Sequence, residues 1–408
     1  MKKLLLGTTT LLAASVLSAQ AFAGGETTTN GAFDLKISGA GTFLVQYKSR
    51  ESTKDDTISY RNHNMKTSSS IAFKGSKTFD SGTSAGFEIG LTTATAVTAT
   101  DHIWVKGSFG NFYLGDRDSE ELEVSLSRNY SGVGLLAKSI GANEAAITSS
   151  ADTRGASNTK VSYVSNAMSG FTFAINYTPD LVKDSAANTV NTDAGGVGED
   201  LLVGLKWVGD MGGATTSLSF GYGVAKAEDN SGDKDVDDDT RTRIGFSVTG
   251  IGNLTVGGYW MSHADDSVAV TPTEGETSMG IGGKWVSGDW TVGIGWETSS
   301  HDELTEAATN TADGTDKATR VDAGVAYKLN ADMTVKLGYR QENYQDDQNL
   351  AADENNTKSL DVKFVWAVAP GLAVDLGLQS FSYTHHLGLA TSAKKTGTAA
   401  FVQTKVTF

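Results

Sequence analysis

The run Gly107-Ser108-Phe109-Gly110-Asn111-Phe112-Tyr113-Leu114-Gly115-Asp116-Arg117-Asp118 holds a tight turn, an alternating strand and the root of a long connection. Gly110 and Asn111 suit the turn because both tolerate positive φ. Phe112 and Leu114 then fall on one face, Tyr113 and Arg117 on the other, which is the period of a strand with two unlike sides. The segment that follows, about residues 119–157, is far longer than any neighbouring connection. Long loops inside a compact fold are usually functional or disordered. This one opens with Asp116, Asp118, Glu120, Glu121 and Glu123 and then carries an apolar stretch, Val133 to Ala137. The pattern predicts a loop that folds into the lumen of a membrane barrel and narrows it.

The same period runs outward in both directions. Phe33, Leu35, Ile37, Phe43, Val45 and Tyr47 alternate with Asp34, Lys36, Ser38, Thr42 and Gln46. Short turns rich in Gly, Asn and Asp recur at Phe79-Asp80-Ser81-Gly82, 108–111, 167–170, 210–213, 250–253, 287–289, 330–332 and 369–371. Longer polar segments separate the hairpins so formed. Eight short turns joined by long loops give eighteen strands by count, and an antiparallel meander with one plain and one elaborate rim. Strands of about ten residues suit a tilted membrane span. Aromatic residues gather near strand ends, at Tyr47, Tyr177, Trp207, Trp260, Trp285, Trp290, Trp296, Tyr327, Tyr339 and Trp366, where membrane barrels place their interfacial girdles. Nothing in hydrocarbon satisfies an open sheet edge, so such a sheet must close. The final strand, ending on Val402, Thr404, Val406 and Phe408, is the natural partner of the first. The predicted fold class is all-β, a transmembrane antiparallel barrel of 16–18 strands.

Composition agrees. Lys2 and Lys3 precede an apolar stretch from Leu4 to Leu17, and Ala21-Phe22-Ala23 fits a cleavage site, so residues 1–23 read as a secretory signal peptide and 24–408 as the mature domain. Losing two lysines moves the formal charge from −15 to −17. That surplus argues against nucleic-acid binding, which needs a basic face. No cysteine is present, which removes thiol chemistry and Cys-ligated zinc. The 3 prolines all fall outside the alternating runs.

These stretches resemble a general diffusion porin of Gram-negative outer membranes, of the alphaproteobacterial type. The resemblance rests on the N-terminal signal, on Thr78-Phe79-Asp80-Ser81-Gly82 leading into Gly86-Phe87-Glu88, and on Gly107-Ser108-Phe109-Gly110 followed by Leu114-Gly115-Asp116. The C-terminal Phe408 is similar to the family's signal for the barrel-insertion machinery. The resemblance implies a homotrimer in an outer membrane of lipid and lipopolysaccharide. It also implies passive diffusion of small hydrophilic solutes and ions, with the third loop, residues 118–157, folded inward as an eyelet. Two features depart from the family: its members usually have sixteen strands, and the Pro-Glu-Phe-Gly sequence common in their third loop is missing.

If the apolar face meets lipid, the polar face lines the lumen, and the wall is basic. An acidic loop against a basic wall sets a transverse field across a narrow opening, and rings of charge govern ion preference in pores. The candidate constriction pairs Asp118, Glu120, Glu121 and Glu123 with Lys36, Lys74, Lys106 and Arg117. Alternatively, the acids are a solvated stretch near the rim, and Arg117 is a salt bridge that only holds the root of the loop. Asp233, Asp235 and Asp237 imitate a calcium loop but lack its Gly and Glu. They suit loosely held Ca2+ or Mg2+ at most, and no cofactor is expected. His385 and His386 are placed in the last long loop as surface residues. Gly82-Thr83-Ser84-Ala85-Gly86 spells a nucleophile elbow but lies in a hairpin, without the helix that motif needs, and no enzyme is expected. The competing possibility is a channel with a dedicated substrate, a sugar or an anion such as phosphate. Trp104, Tyr113 and Tyr259 face inward, without forming a continuous aromatic slide.

Overall fold

The computed structural model describes residues 33–50, 63–92, 98–116, 159–179, 196–228, 239–264, 273–303, 314–346, 353–387 and 391–408. These segments hold eighteen strands. The first six are β1 (Asp34–Arg50), β2 (His63–Thr78), β3 (Ser84–Thr92), β4 (Thr98–Gly107), β5 (Gly110–Asp116) and β6 (Thr159–Val164). Next come β7 (Phe171–Thr178), β8 (Gly196–Met211), β9 (Ala214–Glu228), β10 (Asp239–Ile251), β11 (Leu254–Ala264) and β12 (Thr273–Ser287). The last six are β13 (Trp290–Glu303), β14 (Gly314–Lys328), β15 (Met333–Asp346), β16 (Asp353–Ala369), β17 (Leu372–Leu387) and β18 (Thr391–Thr407).

Each strand pairs antiparallel with its chain neighbours, and β1 pairs with β18, so the sheet closes. The count of eighteen stands, above the sixteen usual in the family the sequence resembles. At the seam the amide of Phe408 donates to the carbonyl of Gly39 at 3.0 Å, and the amide of Gly39 returns the bond at 2.9 Å. The Phe408 ring lies over Gly39, where an added Cβ would sit 2.5 Å from it. A ring packed over a strand glycine restores the contact area that the glycine lacks.

The registers fix the size of the barrel. Followed strand to strand around the wall, they return to β1 about 22 residues higher, so eighteen strands with that stagger tilt by about 40° on a backbone radius of about 18 Å. A cylinder that wide cannot be filled by its own wall side chains.

The burial pattern is inverted relative to a soluble protein. Large apolar residues such as Phe43, Ile103, Leu218, Ile244, Ile294, Leu360 and Leu378 are exposed, whereas the largest fully buried side chains include Arg241, Lys160, Asn176, Asp200, Asp239, Asp322 and Asp375. Oil outside and polar groups within is the only arrangement that explains both sets. The outer aromatics form two belts. Trp207, Trp285, Trp290, Tyr327 and Trp366 lie near the short turns, with the tilted rings of Trp290 and Tyr327 4.5 Å apart at their centroids. Tyr47, Tyr177, Tyr222, Trp260, Trp296 and Tyr339 lie nearer the loop ends.

Two expectations need correction. Strands of about ten residues are too short a picture, since β1, β16 and β18 run 17 residues each. The loop-side halves of β16 and β18 are polar on both faces, so hydrophobic alternation cannot reveal them. His385 and His386 for the same reason lie on β17, opposite Ala393 and Ser392, and not in a loop.

Candidate functional site in the barrel lumen

Strand parity decides which side chains meet in the lumen, and along the axis they sort into two tiers. In the turn-side halves of their strands stand Lys36, Lys74, Lys106, Lys206, Lys284, Lys328, Lys336, Lys363 and Lys405. The inward acids there are Asp34, Glu88 and Asp375. In the loop-side halves the cations are mostly arginines, Arg241, Arg243, Arg320 and Arg340, set among Asp200, Asp239, Glu276, Glu297 and Glu342. Lys66 and Lys160 are two inward lysines of that half, while Asp322 and Asp361 lie near the midpoints of their strands.

The upper tier is internally paired. Arg241 bonds Asp200, with both side chains almost wholly buried. Asp239 lies 2.6 Å from His263 on the neighbouring strand. Arg320 bonds Glu297, which also accepts from the Tyr259 hydroxyl at 2.6 Å. Glu342 sits between Arg320 at 3.9 Å and Arg340 at 3.8 Å. The planar guanidinium suits such crowded pairing, since its fork serves two carboxylates and it is weakly hydrated.

The lower tier has cations to spare. Lys36 and Lys74 are register partners, with Glu88 beside Lys74 at 2.8 Å. Lys106 lies over the rings of Trp104 and Tyr113, at 4.7 and 5.3 Å from their centroids. Lys336 and Lys363 are likewise directly opposite, and Asp375 takes Lys363 at 2.8 Å and Lys405 at 2.7 Å.

The structure thus brings Lys36, Lys74 and Lys106 onto one sector, on β1, β2 and β4. The other members of the candidate constriction, Arg117, Asp118, Glu120, Glu121 and Glu123, lie outside the described residues. So does the rest of the 118–157 loop, together with Asp233, Asp235 and Asp237. The root of the loop is in place. Asp116 ends β5 and accepts a bond from the Thr159 hydroxyl at 2.5 Å, so the strands on either side of the loop are tied together. Among the described residues no group of three or more His, Cys, Asp or Glu is placed to hold a metal ion.

Sequence reasoning missed the inward acids Asp200, Asp239, Glu276 and Glu342. A signal was present. The alternation of Asp239-Thr240-Arg241-Thr242-Arg243 continues the inward parity of β10 beyond its last apolar residue. It also missed Phe381, Tyr383 and Phe401, which parity turns inward and which are buried there. No rule based on apolar residues facing lipid could find those three.

A sequence model of the family described as Gram-negative porin matches residues 7–386. The chain belongs to the Gram-negative porin family. Among solved structures, the anion-selective porin from Comamonas acidovorans is 14% identical, with a TM-score of 0.50 over 92% of this chain and 100% of that one. Its likeness supports the barrel. OmpT, an outer membrane protein of Vibrio cholerae, is 13% identical over 94% of this chain and 100% of its own, with a TM-score of 0.49. A mutant of the Rh. blastica porin is 17% identical over 92% of this chain and 100% of its own, with a TM-score of 0.47. No curated protein sequence matches the chain. This porin is an outer-membrane diffusion channel, and family and fold point to a channel rather than an enzyme.

Proposed function

We propose that this porin passes small hydrophilic solutes and ions without a dedicated substrate, through a lumen narrowed by its third loop. The observation that carries the proposal is the inverted wall: a backbone radius of about 18 Å, lined by ionised side chains, holds water. A bare lumen that wide would sieve poorly, so a constriction is needed. The long 118–157 segment, rooted at Asp116, is the part of the chain with the length and acidity to supply it. Asp118, Glu120, Glu121 and Glu123 on the loop then face Lys36, Lys74, Lys106 and Arg117 on the wall. Polar solutes align in the field between them, while apolar ones must displace ordered water. Swelling of proteoliposomes in neutral sugars of increasing size tests this. Uptake falling smoothly with solute radius supports it, and preference for one sugar over its isomers overturns it in favour of a substrate-specific channel.

The working unit in this proposal is a homotrimer. On the outer wall of β1–β4, parity turns Gly39, Gly41, Thr67, Ser69 and Asp101 outward, and Asp101 is paired with outward-facing Ile89. A carboxylate among apolar side chains on the lipid face is unfavourable. Contact with a second copy of the chain would cover it, and mass measurement in mild detergent tests this, three copies being expected and a lone barrel contradicting it.

A further inference from the structure

We propose that the turn-side half of the lumen holds a binding site for multivalent oxyanions, built by Lys336, Lys363 and Lys405 with Asp375 as its clamp. The proposal rests on the channel function above and names a ligand class for one part of that wall. Lys336 and Lys363 are directly opposite across an antiparallel pair. Like charges in that position destabilise a ladder. Two strands on from Lys363, Lys405 points into the same space. One carboxylate, Asp375, serves this group, and it is almost wholly buried. Its Oδ2 holds Lys363 at 2.8 Å and Lys405 at 2.7 Å. Because both ammonium groups meet the same oxygen, their nitrogens lie no more than about 5.5 Å apart. Lys336 makes no hydrogen bond or ion pair among the described residues.

Three ammonium groups against one carboxylate leave two positive charges in excess. Asp361, one inward position toward the loop end of β16, lowers that excess without removing it, and Lys328 on β14 adds to it from the turn side. A wall that needed only packing would be served by uncharged residues at Lys336. A surplus held in this geometry fits a ligand with several anionic oxygens that bridges neighbouring ammonium groups, such as a phosphate or a polycarboxylate. Chloride offers neither a second charge nor a second acceptor atom. Ammonium is strongly hydrated and Lys405 is 40% exposed on its side chain, so binding is shallow and reversible. Conduction needs that, since an ion must bind well enough to arrive and weakly enough to leave.

The site is tested on the full-length protein in planar bilayers, with potassium chloride on both sides and tripolyphosphate added to one side at a time. Tripolyphosphate on the turn side should lower single-channel conductance in a saturable, voltage-dependent way. Lys336→Gln leaves both bonds of Asp375 intact and should raise the half-blocking concentration roughly tenfold, the loss of one charge-assisted contact. Lys206→Gln removes a lysine of the same tier from β8, on the opposite wall, and should change it less than twofold. Equal effects of the two substitutions would show a diffuse basic field and overturn the site. A channel that conducts normally but ignores millimolar tripolyphosphate would also overturn it, while leaving the diffusion function standing. Absence of any conductance would overturn both.

Discussion

Replacing Arg241 with Met removes the cation from a pair whose partner, Asp200, is 1% exposed. The two side chains come from β10 and β8 and meet across β9, so the bond ties three strands near the loop-side rim. At a surface, losing such a pair would cost about 0–1 kcal/mol, because water takes over the carboxylate. Here water has little access, and breaking a buried pair by removing one partner costs about 3–5 kcal/mol. The expected loss for Arg241→Met is in that range. Asp200→Asn in the same background removes the stranded charge and should recover most of the loss, to within about 1 kcal/mol of the parent. Equilibrium unfolding in urea, with the barrel in lipid–detergent micelles and tryptophan emission as signal, gives all four corners of the cycle. A loss below about 1 kcal/mol for Arg241→Met would refute the reasoning, since it would place the pair in open water. The Lys226–Glu199 pair, 2.9 Å long and exposed, is the internal control, and Lys226→Met should leave the midpoint unchanged.

Other outcomes follow from the same wall. Ile294→Arg puts a charge on the lipid face, where Ile294 is 61% exposed, and should cost about 2–4 kcal/mol in the same assay; a neutral result would place that face in water. Gly377→Val drives a side chain into the Phe401 ring and should cost about 1–3 kcal/mol, with Phe401→Ala relieving the clash in the double variant. Neutralising Glu120, Glu121 and Glu123 together should move the reversal potential in a salt gradient toward anions, and an unchanged potential would remove those acids from the constriction.

Much of the fold was legible because a membrane barrel writes its two solvents into alternate residues. Ile244, Phe246 and Val248 against Arg243, Gly245 and Ser247 specify both the strand and its inner face. Turns such as that at Asp210 are equally local: the Asp210 carboxylate accepts the Gly213 amide at 3.0 Å. What escaped was wherever both faces meet water or protein. The loop-side ends of β10 and β15 carry charged groups that pair along the lumen wall, yet Gln341 and Glu342 offer no apolar partner to mark the phase. Phe381, Tyr383 and Phe401 break the code from the other side, since packing within the lumen and exposure to lipid both select aromatic residues. The two charge tiers were invisible for a third reason. Height along the axis depends on register summed around the closed sheet, which no single strand contains.

Eighteen strands that enclose water form a conducting pore. Single-channel recording of the purified protein in a planar bilayer tests it most directly. Discrete insertion steps are expected, each followed by a lasting, nearly ohmic current that scales with bulk salt conductivity. A protein that inserts, as judged by protease protection, and passes no current would contradict it.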